Sequence, residues 1–207
     1  LATLTFENYN GTSEYNTSTH RLTSNYNILS PSPRAAICQQ PFTLGKELRL
    51  KLHYAPGQYN VILGFCSNKD INKIDSEKET WSIAGLNILV GAWNIYSDGQ
   101  GIKSGIPRTA GGVDFKPAIG GYQSGTPYDV WLKFIFDEDT NTILSYYSTT
   151  GNDDSYIQIA LPTSTHTTTA INLQKQLSEL YLYEGHSIGS GGQNGYVDRL
   201  YFGPRQD

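Results

Sequence analysis

The chain contains no methionine, few charged residues and no long apolar run. Its 207 residues are 16% charged and carry a formal net charge of -4. No segment approaches the roughly 20 apolar residues that a membrane-spanning helix needs, so we expect no membrane insertion. Lys and Arg do not cluster, which excludes nucleic acid as a partner and disfavours an anionic polymer. Because even position 1 is not methionine, we expect a domain excised from a larger multidomain or multimeric assembly.

Cysteine and histidine are also scarce. Cys38 and Cys66 both lie in apolar, strand-like runs, AAICQQ and NVILGFC. Two cysteines are too few for a disulfide framework, and the sequence leaves open whether they are buried thiols or one bridge. The four histidines, at positions 20, 53, 166 and 186, lack the spacing of zinc ligands, and no cofactor motif is present.

The abundant residues are small, hydroxylated or aromatic. The chain has 21 glycines and 15 tyrosines, with Ser, Thr and Asn throughout. A surface of hydroxyls, amides and rings suits a neutral polar ligand. No internal repeat and no Pro-rich or Ser-rich linker divides the chain, so we expect one β domain over residues 1–207.

A predicted hairpin, Tyr128 to Asp137 followed by Thr142 to Thr149, sets the fold class. Both segments alternate with period 2, and a short Asp/Asn-rich connection joins them. The first strand places its apolar side chains in the core, namely Val130, Leu132, Phe134 and Phe136. Its other face carries charged residues together with Trp131, a ring positioned for a ligand.

Further strand candidates follow with almost nothing helical between them. They are Thr3 to Asn8, Ala35 to Gln39, Glu47 to Tyr54, Asn60 to Cys66, Thr80 to Ile83, Asn87 to Ser97, Ser155 to Leu161, Leu177 to Tyr183 and Gly195 to Phe202. This pattern predicts an all-β fold, an antiparallel sandwich or barrel. The one helical competitor, Ile171 to Leu180, is interpreted as a strand with a preceding turn. The longest irregular region, Asp98 to Pro127, includes a predicted short strand at Val113 to Lys116.

Two of these segments carry a family resemblance. The hairpin YDVWLKFIFDEDTNTILSYYS is similar to the central strand pair of the concanavalin-like, or L-type lectin-like, jelly roll. The segment GYVDRLYFG at residues 195–203 resembles the closing strand of laminin-G-like modules. The resemblance implies a two-sheet β-sandwich that holds a glycan on its concave face or rim, and it leaves a structural calcium ion open without assigning ligands.

Within this fold, the chain most resembles noncatalytic carbohydrate-binding modules, including those inserted in bacteriophage tail and baseplate proteins. The resemblance implies a module that recognises a cell-surface or cell-wall polysaccharide for adhesion or host recognition. It also implies an extracellular-facing location: secreted, cell-surface or on a virion tail.

The candidate ligand-binding residues are rings and hydrogen-bonding side chains, since sugars are held by aromatic faces and a few placed polar atoms. They are Trp93, Tyr96, Asp98, Tyr122, Gln123, Trp131, His186 and Asn194. A core position explains Trp93 equally well. Arg49, Lys51 and His53 share one face of RLKLHY and would join Trp131 in a platform if the two strands belong to one sheet; a solvated outer face explains the charges as well.

Catalytic and metal-binding motifs are missing. The Glu-x-Asp-x-x-Glu arrangement of jelly-roll glucanases is absent, and neither cysteine has a candidate base beside it in the sequence. Asp137, Asp139 and Asn141 have calcium-loop spacing but lack the required Gly and Glu, so a hairpin turn explains them better. We therefore expect a binding domain. The sequence leaves two competing functions open: a glycan hydrolase or lyase, which requires two carboxylates or a Tyr/His pair in a groove, and a structural or protein-binding domain, which requires an exposed apolar patch.

Overall fold

The computed structural model describes residues 3–9, 12–25, 35–54, 60–73, 80–83, 86–89, 94–98, 101–107, 113–115, 119–121, 123, 126–160, 163, 165–187 and 196–206. The strands are β1 Phe6–Tyr9, β2 Thr12–Asn16, β3 Arg21–Asn25, β4 Ala35–Cys38, β5 Phe42–Thr43, β6 Lys46–Tyr54, β7 Asn60–Cys66, β8 Thr80–Ile83, β9 Leu86–Leu89, β10 Asn94–Asp98, β11 Gly101–Pro107, β12 Val113–Phe115, β13 Tyr128–Asp137, β14 Thr142–Ser148, β15 Ile157–Gln158, β16 Glu179–Ser187 and β17 Tyr196–Pro204. One α-helix, α1, spans Thr165–Gln174, and short 3-10 helices span Ile71–Lys73 and Asp153–Ser155.

The described strands form two large antiparallel sheets. The seven-stranded sheet has the order β15-β14-β13-β6-β17-β3-β2. The eight-stranded sheet has the order β1-β4-β16-β7-β10-β11-β12, with β5 paired to β16, and β8 and β9 form a separate ladder. Sequence neighbours such as β6 and β7 lie in different sheets, so the chain crosses between layers, as in a jelly roll. The predicted all-β, two-sheet sandwich is confirmed.

The core lies between the two sheets and is built from alternating residues. On β13, Val130, Leu132, Phe134 and Phe136 are at most 1% exposed, as the alternation predicts. Aromatic rings then connect the layers: Phe65 of β7 packs edge-on against Phe134 of β13, with 5.4 Å between ring centroids. Phe42 stacks on Phe65 at 5.0 Å. This aromatic cluster ties both sheets to one core.

Most of the predicted strands are confirmed, and two of them differ from the prediction in their bounds. Asn60 to Cys66, Thr80 to Ile83 and Tyr128 to Asp137 match their strands residue for residue. The predicted strand Asn87 to Ser97 is instead two strands, β9 and β10, which lie in different ladders. Predicted Ser155 to Leu161 is reduced to the two-residue β15.

Several elements were not predicted because their side chains hide the pattern. Helix α1 reads THTTTAINLQ, and the β-branched threonines have low helix propensity. The interpretation of Ile171 to Leu180 as a strand is therefore wrong for its first four residues, which are helical, and the strand begins only at Glu179. Strand β11 reads GIKSGIP within the expected long loop, and its glycines obscure the alternation. The hairpin of β2 and β3 is mostly polar, so it lacks an apolar period. The short strand expected at Val113 is present as β12.

The Asp/Asn-rich connection after β13 is a hairpin turn, as expected. Asn141 has a φ of 56°, a left-handed conformation that Asn tolerates. The Thr140 amide and hydroxyl both donate to Asp137 Oδ2, at 3.0 and 2.7 Å. Across the described ranges, no group of three His, Cys, Asp or Glu side chains could hold a metal ion. The helices within those ranges are also too short or too polar to cross a membrane.

The two cysteines are free thiols in the core. Cys38 is on β4 and Cys66 is on β7, and each is 1% exposed. Strand β16 lies between these two strands, so the cysteines are not cross-strand neighbours. Burial raises the pKa of the Cys38 thiol to about 11.

We expect both thiols to resist modification in the native protein. The reason is that the thiolate is the reactive form, and burial disfavours it. An aromatic disulfide reagent should release almost no chromophore from native protein at neutral pH, and two equivalents per chain after unfolding in guanidinium chloride. Rapid reaction of the folded chain would contradict the buried positions, and no reaction after unfolding would indicate a disulfide.

Candidate functional site

The side chains of β6, β13 and β17 that point away from the core form one surface, here called the outer face. Cross-strand partners share a face, so the register sets its rows. Asp129 is opposite His53, and His53 is opposite Tyr196; Trp131 is opposite Lys51, and Lys51 is opposite Asp198; Lys133 is opposite Arg49, and Arg49 is opposite Tyr201. The platform predicted from the two alternating strands is therefore confirmed.

The first row is a hydrogen-bonded and stacked cluster. His53 Nδ1 lies 2.7 Å from Asp129 Oδ1, and Lys51 Nζ lies 2.9 Å from the other oxygen of the same carboxylate. The Tyr196 ring stacks on His53 with 4.7 Å between centroids. The Arg21 guanidinium lies 4.0 Å from the centre of the Tyr196 ring. A histidine and a tyrosine thus meet on the outer face with fixed orientations.

The Asp129 carboxylate is held in its charged form. Burial, the largest single influence, acts to raise its pKa, but hydrogen bonds from Lys51 and His53 and the positive charge of both outweigh it and lower the pKa. The group is therefore ionised at neutral pH and serves as the anionic partner of two basic side chains.

Trp131 is positioned by the turn that follows β14. A Cβ at Gly151 would lie 2.6 Å from both Cδ2 and Cε2 of Trp131, the two atoms shared by the fused rings. Contact with that shared bond means that the glycine covers a face of the indole. Gly151 also has a φ of 80°, so glycine is required there for both conformation and space. The half-buried ring is thereby fixed in place among polar groups.

A β-bulge places a second cation near this ring. The register of β17 against β6 shifts between Asp198 and Tyr201, and Arg199 within the bulge has a φ of 51°. Its guanidinium carbon lies 5.1 Å from the centre of the Trp131 ring, and Lys51 Nζ lies 5.5 Å from it. Left-handed backbone is uncommon outside glycine, and bulges that redirect a side chain are frequent at functional sites.

The third row contains a pocket of about 270 Å³. Its lining consists of Arg49, Lys133, Ile135, Tyr146, Asp153, Arg205 and Gln206. Lys133 Nζ lies 5.0 Å from the centre of the Tyr146 ring and 4.5 Å from that of Tyr156. Burial is the main cause of a lowered pKa at Lys133, with the nearby Glu47 acting in the opposite direction.

The two arginines of this pocket already have acidic partners. Arg49 contacts Glu47, which is fully buried, and Asp153, whose side chain is 83% exposed. Glu47 also accepts a hydrogen bond from the Gln206 amide at 3.2 Å. Arg205 lies 3.4 Å from Asp137. Lys133, by contrast, forms no ion pair with any carboxylate in the described part of the chain.

A larger cavity of about 550 Å³ lies between β14, β15 and α1. Ile143, Leu144, Ile159, Ala160 and Ile171 supply its apolar lining. No aromatic ring is among the described residues that line it, so it lacks the flat apolar face on which a sugar stacks. The outer face is the better candidate for a glycan.

The structure separates the ligand-binding residues predicted from the sequence. Trp131 is on the outer face, and Gln123 is exposed. Tyr96 and Asp98 lie in β10 and His186 lies in β16, so these three belong to the eight-stranded sheet rather than to that of Trp131. Trp93, Tyr122 and Asn194 lie outside the described residues.

Several residues of the outer face were not among the predicted ones. Tyr146 had a usable signal, because it lies opposite Lys133 in the predicted hairpin. Tyr196 occurs in the predicted last strand, but its contact with His53 depends on the pairing of β17 with β6. Nothing in the sequence indicated that three further residues lie on the outer face, because a turn and a bulge bring them there. They are Gly151, Tyr156 and Arg199.

Comparison with known proteins identifies the fold. The lectin from Bauhinia forficata in complex with GalNAc has a TM-score of 0.51 at 11% identity, covering 97% of this chain and 91% of that chain. A legume lectin-like domain from Entamoeba histolytica has a TM-score of 0.51 at 10% identity, covering 98% and 90%. The TRIM65 PSpry domain has a TM-score of 0.50 at 12% identity, covering 96% and 91%.

These similarities show a concanavalin-like jelly roll, and at such low identity they show the fold alone. No protein-family model matches the chain, and no curated protein matches it at a significant level. Any function must therefore be argued from the outer face itself.

Proposed function

We propose that the chain is a noncatalytic carbohydrate-binding domain that holds a polysaccharide on the outer face. The observation that carries this proposal is the fixed indole of Trp131, supported by Gly151 and surrounded by hydrogen-bonding side chains. Aromatic rings with a few oriented polar groups are the features that bind sugar rings. The lectin-like fold supports the same conclusion.

The biological role that we propose is adhesion or targeting to a cell-surface or cell-wall polysaccharide, from an extracellular-facing position. Host recognition by a phage tail is the specific form of this role that the sequence resemblance suggests. A single open face gives modest affinity, because water competes for each sugar hydroxyl. Firm attachment then requires several copies in a larger assembly.

A glycan and cell-wall polysaccharide array, followed by titration of each hit, tests the proposal. Trp131→Ala should weaken binding of a hit at least about tenfold, since buried aromatic anchors dominate such sites. The affinity of Trp131→Phe, which keeps an aromatic ring, should lie between that of the alanine variant and that of the wild type. Isothermal titration gives the affinities, and thermal unfolding verifies that each variant is folded.

Two results would contradict this proposal. If the wild type bound none of the neutral and acidic polysaccharides on the array, the proposed function would be rejected. Binding that is unchanged in folded Trp131→Ala would move the site elsewhere, with the region of Tyr96, Asp98 and His186 as the next candidate.

One observation favours a second candidate, a polysaccharide lyase. Such an enzyme needs a base to remove the proton beside a uronate carboxyl group and an acid to protonate the departing glycosidic oxygen, leaving a carbon–carbon double bond in the product. His53 and Tyr196, in ring contact, are of the residue types that do this. Release of ultraviolet-absorbing unsaturated oligosaccharides, abolished in His53→Ala, would establish a lyase in place of a simple binding domain.

A glycan hydrolase and a protein-binding domain have less support. A hydrolase needs one carboxylic acid that stays protonated, but Asp129 has a lowered pKa, and Asp153 and Asp198 are ion-paired. A protein-binding domain predicts an apolar patch, whereas among the described side chains Ile157, at 57% exposure, is the exposed large hydrophobic residue.

A further inference from the structure

The outer face has a charge character that differs from that of the whole chain. The net charge of -4 is an average over the chain. On the outer face, Lys133 and Arg199 form no ion pair with any described carboxylate, while the neighbouring Lys51 and Arg49 are paired. A bound ligand interacts with the charges of the outer face rather than with the net charge of the chain, since charges farther than about 10 Å are screened at ordinary salt concentrations.

We propose that the ligand is an acidic glycan and that one of its carboxylates binds Lys133 in the pocket formed with Arg49, Tyr146 and Asp153. This inference rests on the proposed carbohydrate-binding function and names the class of sugar. The pocket of about 270 Å³ is slightly below the roughly 300–1,000 Å³ of sites for larger ligands, so it suits one sugar unit rather than a chain.

Lys133 is placed against aromatic rings and forms no direct ion pair with a described carboxylate. Its ammonium lies against two tyrosine rings, whose faces attract a cation but leave its hydrogen-bond donors available. Partial desolvation lowers its pKa, and the charges of Glu47 and Asp153 offset this effect only in part. A bound carboxylate would offset the remaining effect, so the interaction is stronger than at a fully exposed lysine.

Arg49 offers a second contact through exchange of partners. Its Glu47 contact is buried and anchors the guanidinium, whereas its Asp153 partner is 83% exposed. An exposed ion pair is weak, so an incoming carboxylate can replace Asp153 at modest cost. Asp153 therefore competes with an acidic ligand, and its removal should improve binding.

Trp131 and Lys133 lie two residues apart on the same face of β13, about 6.6 Å along the strand. A glycan that follows the strand can stack one unit on Trp131 while the carboxylate of the next enters the pocket. The two residues then have separable roles: the ring contributes to binding any suitable sugar, and the lysine selects the acidic one.

The test compares uronate oligosaccharides with the same oligosaccharides after carboxyl reduction, which removes the charge and keeps the sugar rings. Titration of wild type should give about tenfold or greater preference for the acidic form, the value expected of a charge-assisted hydrogen bond. Lys133→Gln should abolish the preference while keeping the affinity for the reduced form. Asp153→Asn should increase affinity for the acidic form by about two- to fivefold.

Lys73→Gln is the matched control, because Lys73 is 70% exposed and lies in the short helix after β7, away from the outer face. It should leave both affinities unchanged. Three outcomes would each overturn the inference. Wild type could bind the acidic and reduced forms with equal affinity, or the preference for the acidic form could persist in Lys133→Gln. Affinity could also depend on the number of sulfate esters in the oligosaccharide rather than on its carboxylates.

These outcomes are distinguishable from failure of the proposed function. Equal binding of the acidic and reduced forms that depends on Trp131 and is unchanged for both forms in Lys133→Gln would retain the function and reject the acidic ligand. If Lys133→Gln does not fold, Asp153→Asn still tests the inference. A decrease or no change in its affinity for the acidic form would contradict competition between Asp153 and the ligand at Arg49.

Discussion

Phe134→Ala is expected to lower the free energy of unfolding by about 3–5 kcal/mol, the range for removing a large ring from a packed core. Phe134 is 1% exposed, and it joins the two sheets through its edge-on contact with Phe65. Its loss leaves a cavity where the layers meet, and the remaining side chains cannot fill it without moving a sheet. A loss of this size is a large fraction of the stability of an ordinary domain.

Chemical denaturation with urea measures this effect, provided that the transition is two-state. Ile157→Ala is the matched control, because Ile157 is 57% exposed and should change stability by no more than about 0.5 kcal/mol. The loss of unfolding free energy in Phe134→Leu should lie between the losses in Phe134→Ala and Ile157→Ala. A loss below about 1 kcal/mol for Phe134→Ala would contradict a single core shared by both sheets.

Glu47→Gln is expected to cost about 3 kcal/mol, because it breaks a buried ion pair and leaves Arg49 with its weaker, exposed partner Asp153. The Glu47 side chain is fully buried, and Arg49 is 19% exposed. Glu47 also accepts a hydrogen bond from the Gln206 amide, which ties the C-terminal segment to β6. The substitution therefore weakens the attachment of the C-terminal segment to β6 and the anchoring of Arg49, which lines the Lys133 pocket.

The measurement is urea denaturation together with titration of an acidic oligosaccharide. Glu7→Gln, at an exposed position on β1, removes the same charge elsewhere and should be nearly neutral. Affinity for the acidic oligosaccharide should fall in Glu47→Gln, since Arg49 loses its anchor. Unchanged stability would show that Glu47 is not the buried partner of Arg49.

The central hairpin was predictable in detail because its two strands alternate over most of their length. Apolar residues at every second position of β13 identified both the core face and the outer face. The same reasoning on β6 placed Arg49, Lys51 and His53 together on the outer side, and the pairing of β6 with β13 confirms that they share a surface with Trp131.

Alternation could not predict how strands distant in sequence would pair. The candidate residues Tyr96, Asp98 and His186 were grouped with Trp131 by residue type, but their strands belong to the other sheet. Periodicity assigns a residue to one side of its own strand, and it carries no information about which sheet the strand joins.

The expectation of a neutral ligand came from the abundance of hydroxyl, amide and aromatic side chains, together with the negative net charge and the lack of a Lys/Arg cluster in the sequence. Lys133 lies close to two tyrosine rings, of which that of Tyr156 comes from a turn outside the hairpin. If the acidic-glycan test succeeds, that sequence-based expectation is wrong, because net charge does not report how charges are distributed.

The sequence by itself determined the class of fold, the composition of the core and the side of each regular strand that meets solvent. These depend on hydrophobic periodicity, which is a local property of the chain. Only the tertiary structure decided which strands lie side by side, the bulge at Arg199, the packing of Gly151 on Trp131 and the position of Lys133 against two tyrosine rings. Each of these depends on contacts between segments far apart in sequence, and such contacts form only when the sheets assemble around the shared core.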